Sequence, residues 1–215
     1  MNGPMKKIGA LAGILFPILQ MIAQGLIQVG GVEPSFSADA EEILAFFQSR
    51  DPALFRTGDF LSVLSMIAFL WFLAAVWDSL REAGGEAGWL AMIVMGSGIV
   101  SAGALDDSGG WTLAMLRLSE GLDAETARML FDEGNLNFAN LWVSLGSMVL
   151  AAGLAFRAGD TEPAWLAWST IAMGVALVLA RIVWTSSIAF APYVLFWVWM
   201  IVIGVRLYKR ASPKS

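Results

Sequence analysis

The 215-residue sequence contains no cysteine and no histidine. The first absence excludes disulfides and thiol nucleophiles. The second excludes imidazole general bases, haem held by its usual ligand and zinc sites built on imidazole. Charge is scarce as well: Asp, Glu, Lys and Arg make up 14% of the chain, against about a quarter in a soluble domain. The net charge of −5 argues against nucleic acid as a partner, because phosphate backbones are held by basic patches. Recognisable catalytic signatures are missing too. There is no Gly-rich phosphate loop after a strand, no serine-hydrolase elbow and no DxxD-type repeat. The stretch FDEGNLN at 131–137 lacks the acidic spacing and terminal Glu of an EF-hand loop.

What is present is apolar surface, at 58% of residues. It falls into six blocks near 8–29, 58–78, 89–106, 137–157, 164–184 and 189–208. A helix of about 20 apolar residues, rising 1.5 Å each, crosses a hydrocarbon core of roughly 30 Å. The expected fold is therefore an all-α six-helix transmembrane bundle forming one membrane domain over 1–215. The first block follows Lys6 and Lys7, as in a signal peptide, but it is longer than the usual 7–15-residue apolar region and reads as a retained span.

An even number of spans puts both termini on one side. With the termini inside, the inner segments hold eight Lys/Arg and the outer ones five. The positive-inside rule then places both termini in the cytoplasm. Trp77, Trp89, Trp165 and Trp168 fall near the inner interface, and Trp111 and Trp184 near the outer one. The two long segments, 30–57 and 108–136, lie outside. Asp39 with Glu42, and Asp123, are helix N-cap signals. They predict two short amphipathic helices near 40–49 and 124–132, lying over the bundle as a cap. Both begin Asp-Ala-Glu, which fits either related hairpins or two interfacial helices meeting the same demands. In GALDDSGGW, at 103–111, Gly109 and Gly110 read as a helix stop and Trp111 as an anchor.

Small residues in the spans mark packing seams: Gly9 and Gly13 in the first, Ser97/Ser101 and Gly98/Ala102 in the third, Ala172/Ala176/Ala180 in the fifth. Pro17 and Pro192 are expected to kink the first and sixth spans. Gln20, Gln24 and Gln28 recur every four residues, so they share a stripe that should turn inward. Depth along each span brings further polar residues to the outer level: Asp59, Asp106, Asp107, Asn137, Asn140 and Arg181. These nine residues form the predicted ligand pocket. An arginine among apolar neighbours pairs with an acid or snorkels. Arg181 is thus expected either to meet Asp59, Asp106 or Asp107 beneath the cap, or to reach the interface alone. The cavity itself is sought among spans one, three and five.

Adjacent Asp106 and Asp107 do not face the same way on a helix, so they are no ready-made acid–base dyad. No catalytic residue, metal site or cofactor is assigned. Charge is nearly absent from the span centres, which disfavours an ion-coupled pump. The expected function is non-enzymatic: an outward-facing polar pocket that binds a small or lipid-like ligand. The alternatives are a scaffold, sensor or accessory subunit with a membrane-protein partner, and an uncoupled transporter. Apart from such a ligand or partner, the bilayer is the only environment expected to contact it.

Three stretches carry a resemblance: IGALAGILFPIL with EEILAFFQSR, FLWFLAAVWDSLREAGG, and LDAETARMLFDEGNLNFA. In these the chain resembles a group of small six-span bacterial integral membrane proteins known only as a domain of unknown function. The resemblance implies a six-helix fold and a bacterial cytoplasmic membrane. It carries over no activity, cofactor or catalytic residue.

Overall fold

A computed structural model describes residues 3–105 and 109–211. It is an all-α six-helix bundle. In chain order the helices are α1 (Gly3–Ile27), α2 (Ala40–Gln48), α3 (Pro52–Ala83), α4 (Gly85–Leu105), α5 (Gly109–Arg117), α6 (Ala124–Ala158), α7 (Ala164–Ala180) and α8 (Ala191–Ala211). Among the described residues six helical segments are long and apolar enough to cross a membrane. The chain is thus a multi-pass helical membrane protein. On α1, Leu11, Leu15, Ile18 and Ile22 are 42–49% exposed, a continuous apolar stripe that a bilayer covers and water would not tolerate.

The long helices form a ring in sequence order. α3 packs on α1, α4 on α3, α6 on α4 and α7 on α6; α8 closes the ring, more extensively on α1 than on α7. Glycines set the closest approaches, because lipid offers no hydrophobic drive between helices and backbone proximity must supply the packing. A Cβ at Gly204 would sit 2.7 Å from the Ala10 carbonyl, and one at Gly13 would strike the Phe72 ring. Gly174 rests on the backbone of Leu150 in the same way, seating α7 on α6. Phe16, Phe69, Phe72, Leu73, Trp142 and Phe196 fill the middle. α3 turns into α4 through Gly84 and Gly85 at φ 71° and 50°, a left-handed pair that lets two spans reverse without a linker.

At the end opposite the termini a second core forms from Ile43, Phe46, Phe47, Phe55, Ala114, Met115, Ala127 and Phe131. It belongs to a cap made of α2, α5 and the first turns of α6. Asp39 caps α2 by accepting from the Glu42 amide at 2.8 Å, and Asp123 caps α6 by accepting from the Thr126 amide at 2.9 Å.

The structure differs from the sequence expectation in three places. The helix expected near 124–132 is not separate but the start of α6, whose 35 residues outrun a bilayer and carry the span into the cap. Nothing between Asp123 and the span breaks a helix: Gly134 is tolerated, and no proline intervenes. Gly109 and Gly110 do not stop a helix; they begin α5. A Cβ at Gly110 would collide with the Leu130 carbonyl and the Glu133 carboxylate, so the missing side chain docks α5 on α6. Pro192 falls in the first turn of α8, where no intrahelical amide is lost, rather than at a kink.

Candidate functional site

A cavity of about 280 Å³ lies beneath the cap. One part of the lining is polar. α1 supplies Gln20 and Gln24, α3 supplies Asp59 and Ser62, and the loop after α1 supplies Gln28 and Glu33. The rest of the lining is largely aromatic: Phe138 of α6, Phe190 in the turn before α8, and Tyr193 and Trp197 of α8, with Phe55 and Trp111 from helices of the capped end. The site therefore sits among α1, α3, α6 and α8, not among the first, third and fifth spans. Among the described residues α4 contributes only Ala104 and α7 nothing to the lining.

Hydrogen bonds fix the polar wall. Gln20 is 2% exposed, and its Nε2 donates to Ser65 Oγ at 2.8 Å and Ser62 Oγ at 3.3 Å. That is the expected behaviour of an amide in hydrocarbon, and it locks α1 to α3. Thr112 Oγ1 of α5 donates to Asp59 Oδ1 at 3.2 Å, tying the acid to the cap. On the aromatic wall Tyr193 stands edge-on to Phe138 at 5.1 Å and to Trp197 at 5.5 Å. Trp111 stacks on Phe131 at 5.7 Å and lies against Gly134, where a Cβ would come within 2.5 Å of its ring. The roof of the cavity thus depends on two glycines of neighbouring helices.

Glu33 is the most perturbed group outside the spans. Burial pushes its carboxyl up to about 7, although a hydrogen bond from Asn135 and the nearby Arg50 guanidinium act to lower it. Arg50 is 5% exposed. Its Nη1 donates to the carbonyls of Ile27, Val29 and Gly31 at 3.3, 3.2 and 2.9 Å, and its guanidinium lies 3.9 Å from the Phe46 ring centre. Nε and Nη2 are buried without a hydrogen-bond partner. Arg50 staples the α1–α2 loop to the cap but does not line the cavity.

A second cavity, of about 410 Å³, adjoins the first and shares Glu33, Asn135, Phe138 and Phe190 with it. Phe36, Trp142 and Trp184 line it, and the buried Trp142 Nε1 has no hydrogen-bond partner. Glu33 and Asn135 stand where the two chambers meet.

Of the predicted pocket residues, Gln20, Gln24, Gln28 and Asp59 line the first cavity. Asn137, Asn140 and Arg181 line neither. Asn137 donates to Glu133 Oε1 at 2.5 Å on the outside of α6. Arg181 lies just past the end of α7; its Nε donates to Asn140 Oδ1 at 3.0 Å and its guanidinium rests 5.5 Å over Trp184. No Arg181–Asp59 ion pair is present among the described residues. An amide and an indole face satisfy the arginine at the bundle's rim, at lower desolvation cost than burial with an acid. Asp106 and Asp107 lie outside the described residues. Among the described residues no three acids converge on a metal-sized centre.

Sequence reasoning missed Glu33, Ser62, Asn135 and the aromatic wall. Glu33 left a faint signal, one residue off the four-residue repeat of the glutamines. Tyr193 and Trp197 left none, because the first turns of α8 are apolar on every face. The chain matches no protein-family model, no curated protein and no solved structure.

Proposed function

We propose that this protein sits in a bacterial cytoplasmic membrane with both termini in the cytoplasm, and that its outward-facing cavity holds a small amphipathic or lipid-like molecule without transforming it. One observation carries this reading: a cavity at the capped end lined by amides and carboxylates together with aromatic side chains. Ligand pockets are concave, largely apolar and furnished with a few placed polar groups. A surface used only for docking another subunit would need no such interior.

Native mass spectrometry of the protein in mild detergent tests the proposal. A defined small molecule retained at one copy per chain is the expected result. Bulk lipid alone, together with a co-purifying membrane protein, would replace it with the accessory-subunit reading. Orientation is tested separately, since the chain has no cysteine of its own. A membrane-impermeant maleimide should label Ser37→Cys in intact cells and spare Ala158→Cys.

A further inference from the structure

We infer that the cavity beneath the cap opens sideways to the outer leaflet, between α1 and α8, and that its occupant is one acyl chain of a membrane lipid. This rests on reading the cavity as a ligand site, and it adds the class of ligand and the route by which it arrives.

α1 and α8 are fastened toward the end that carries the termini. Lys7 lies 5.6 Å over the Tyr208 ring, a Cβ at Gly204 would come within 2.7 Å of the Ala10 carbonyl, and one at Gly13 within 3.2 Å of the Met200 carbonyl. Phe16 and Phe196 make the last ring contact between the two helices, at 6.3 Å. Closer to the cap, among the described residues, no hydrogen bond or ring contact joins them. The cavity lies there instead: Gln20 and Gln24 line it from α1, and Tyr193, Val194 and Trp197 from α8. Gln24 is exposed, and Val194 is 51% exposed. Met21 and Leu195 nearby, at 53% and 58%, belong to the surface that the bilayer covers. Cavity and lipid-facing surface thus share an edge at this seam.

The other borders are held by specific contacts. α3 stays pinned to α1 at the level of the cavity, since a Cβ at Gly58 would meet the Ala23 carbonyl at 2.7 Å and Gln20 donates to Ser65. Phe138 of α6 meets Tyr193 of α8 edge-on at 5.1 Å. The roof is held by Trp111 against Gly134 and by Arg50, which binds the loop after α1 through three carbonyls. A water-borne ligand would have to part such contacts. A lipid chain entering at the seam displaces only apolar contacts, which it replaces in kind. The volume of about 280 Å³ lies at the lower limit of ligand pockets, roughly 300 Å³, which suits one chain rather than two. Gln24 makes no side-chain hydrogen bond among the described residues. An amide at the edge of hydrocarbon seeks a partner, and the ester and hydroxyl oxygens of a lipid headgroup supply one.

The test uses the whole protein in phosphatidylglycerol nanodiscs doped with a diacyl phosphatidylglycerol that carries a diazirine within one acyl chain. This probe stays in the bilayer, so a cavity reached only from water remains unlabelled. After irradiation, tandem mass spectrometry locates the labelled residues. Labels on Phe55, Asn135 or Phe138 report the cavity, whereas labels on Phe60 and Leu136, 64% and 40% exposed, report surrounding lipid. Cavity labelling is the expected result, and Val194→Trp, which fills the seam, should reduce it about fivefold or more relative to Phe60 and Leu136. Leu195→Trp, one residue away and outside the lining, should leave it unchanged. The wild-type pattern needs no variant, so poor folding of Val194→Trp does not blunt the test. Labels confined to the lipid-facing residues, cavity labelling undiminished in a folded Val194→Trp, or equal losses in both variants overturns the inference. If the cavity stays unlabelled while native mass spectra retain a defined molecule, the ligand-site reading stands and only the lipid route is lost. If it stays unlabelled and only bulk lipid is retained, both fall.

Discussion

At the end of the bundle that carries the termini, the buried carboxylates are enclosed by basic side chains. Asp78 of α3 has Lys6 at 3.4 Å and Arg81 at 3.5 Å, and Glu162, before α7, is held by Arg206 and by Arg210 at 2.8 Å. At the capped end Glu33 and Asp59 border a cavity whose lining, among the described residues, includes no base. The acids of the first end fasten helices: Asp78 and Lys6 join α3 to α1, and Glu162 joins the α6–α7 turn to α8. Their charge is satisfied within the fold. At the second end Thr112 donates to Asp59, while Asn135 and the nearby Arg50 guanidinium act on Glu33. Acids locked into ion pairs between helices serve the fold, whereas acids that border a cavity are within reach of a ligand.

The largest expected effect breaks the first half of this contrast. Replacing Arg206 and Arg210 together by Ala strands Glu162, whose side chain is 1% exposed, and should cost about 3 kcal/mol, as breaking a buried pair does. Thermal unfolding in nanodiscs measures it. Glu33→Gln in the same assay should cost less than about 1 kcal/mol, because it removes no ion pair. Equal losses at the two ends would erase the distinction. Arg50→Leu comes next: it frees three carbonyls in the α1–α2 loop and should cost about 1–3 kcal/mol. Faster limited proteolysis between residues 30 and 39 should accompany it.

The pH dependence of stability sharpens the comparison further. Glu33 ionises near 4.5 in an unfolded chain and at about 7 in the folded one. Between these values the folded state holds the extra proton, so stability contributed by the neutral acid is present below pH 4.5 and is lost as pH rises to 7. The melting temperature should therefore fall from pH 5 to pH 8, with a shallower fall in Glu33→Gln. The smallest effect belongs to Arg181→Leu. Its hydrogen bond to the exposed Asn140 should be worth less than about 1 kcal/mol. A loss of several kcal/mol would return Arg181 to the interior.

Much of the scaffold was legible in sequence because a bilayer imposes length and apolarity on every span. The caps at Asp39 and Asp123 were legible because a side chain capping an amide three residues on is a local event. Gln20 announced itself by its polarity at depth. The errors share one cause. Arg181, Asn137 and Asn140 lie at the right level of the bundle but on other faces, and depth can be counted along a sequence whereas rotation about a helix axis cannot. α5 was hidden because its two leading glycines look like a stop until α6 is seen against them.

The sequence alone determined that this chain is a helical membrane protein without imidazole or thiol chemistry, and that one end is more acidic than the other. Those properties follow from composition and local periodicity. Only the tertiary structure decided which polar residues share a cavity. Glu33 and Asn135 meet across a hundred residues of chain, and the aromatic wall of α8 faces them because Gly13 and Gly204 draw that helix onto α1.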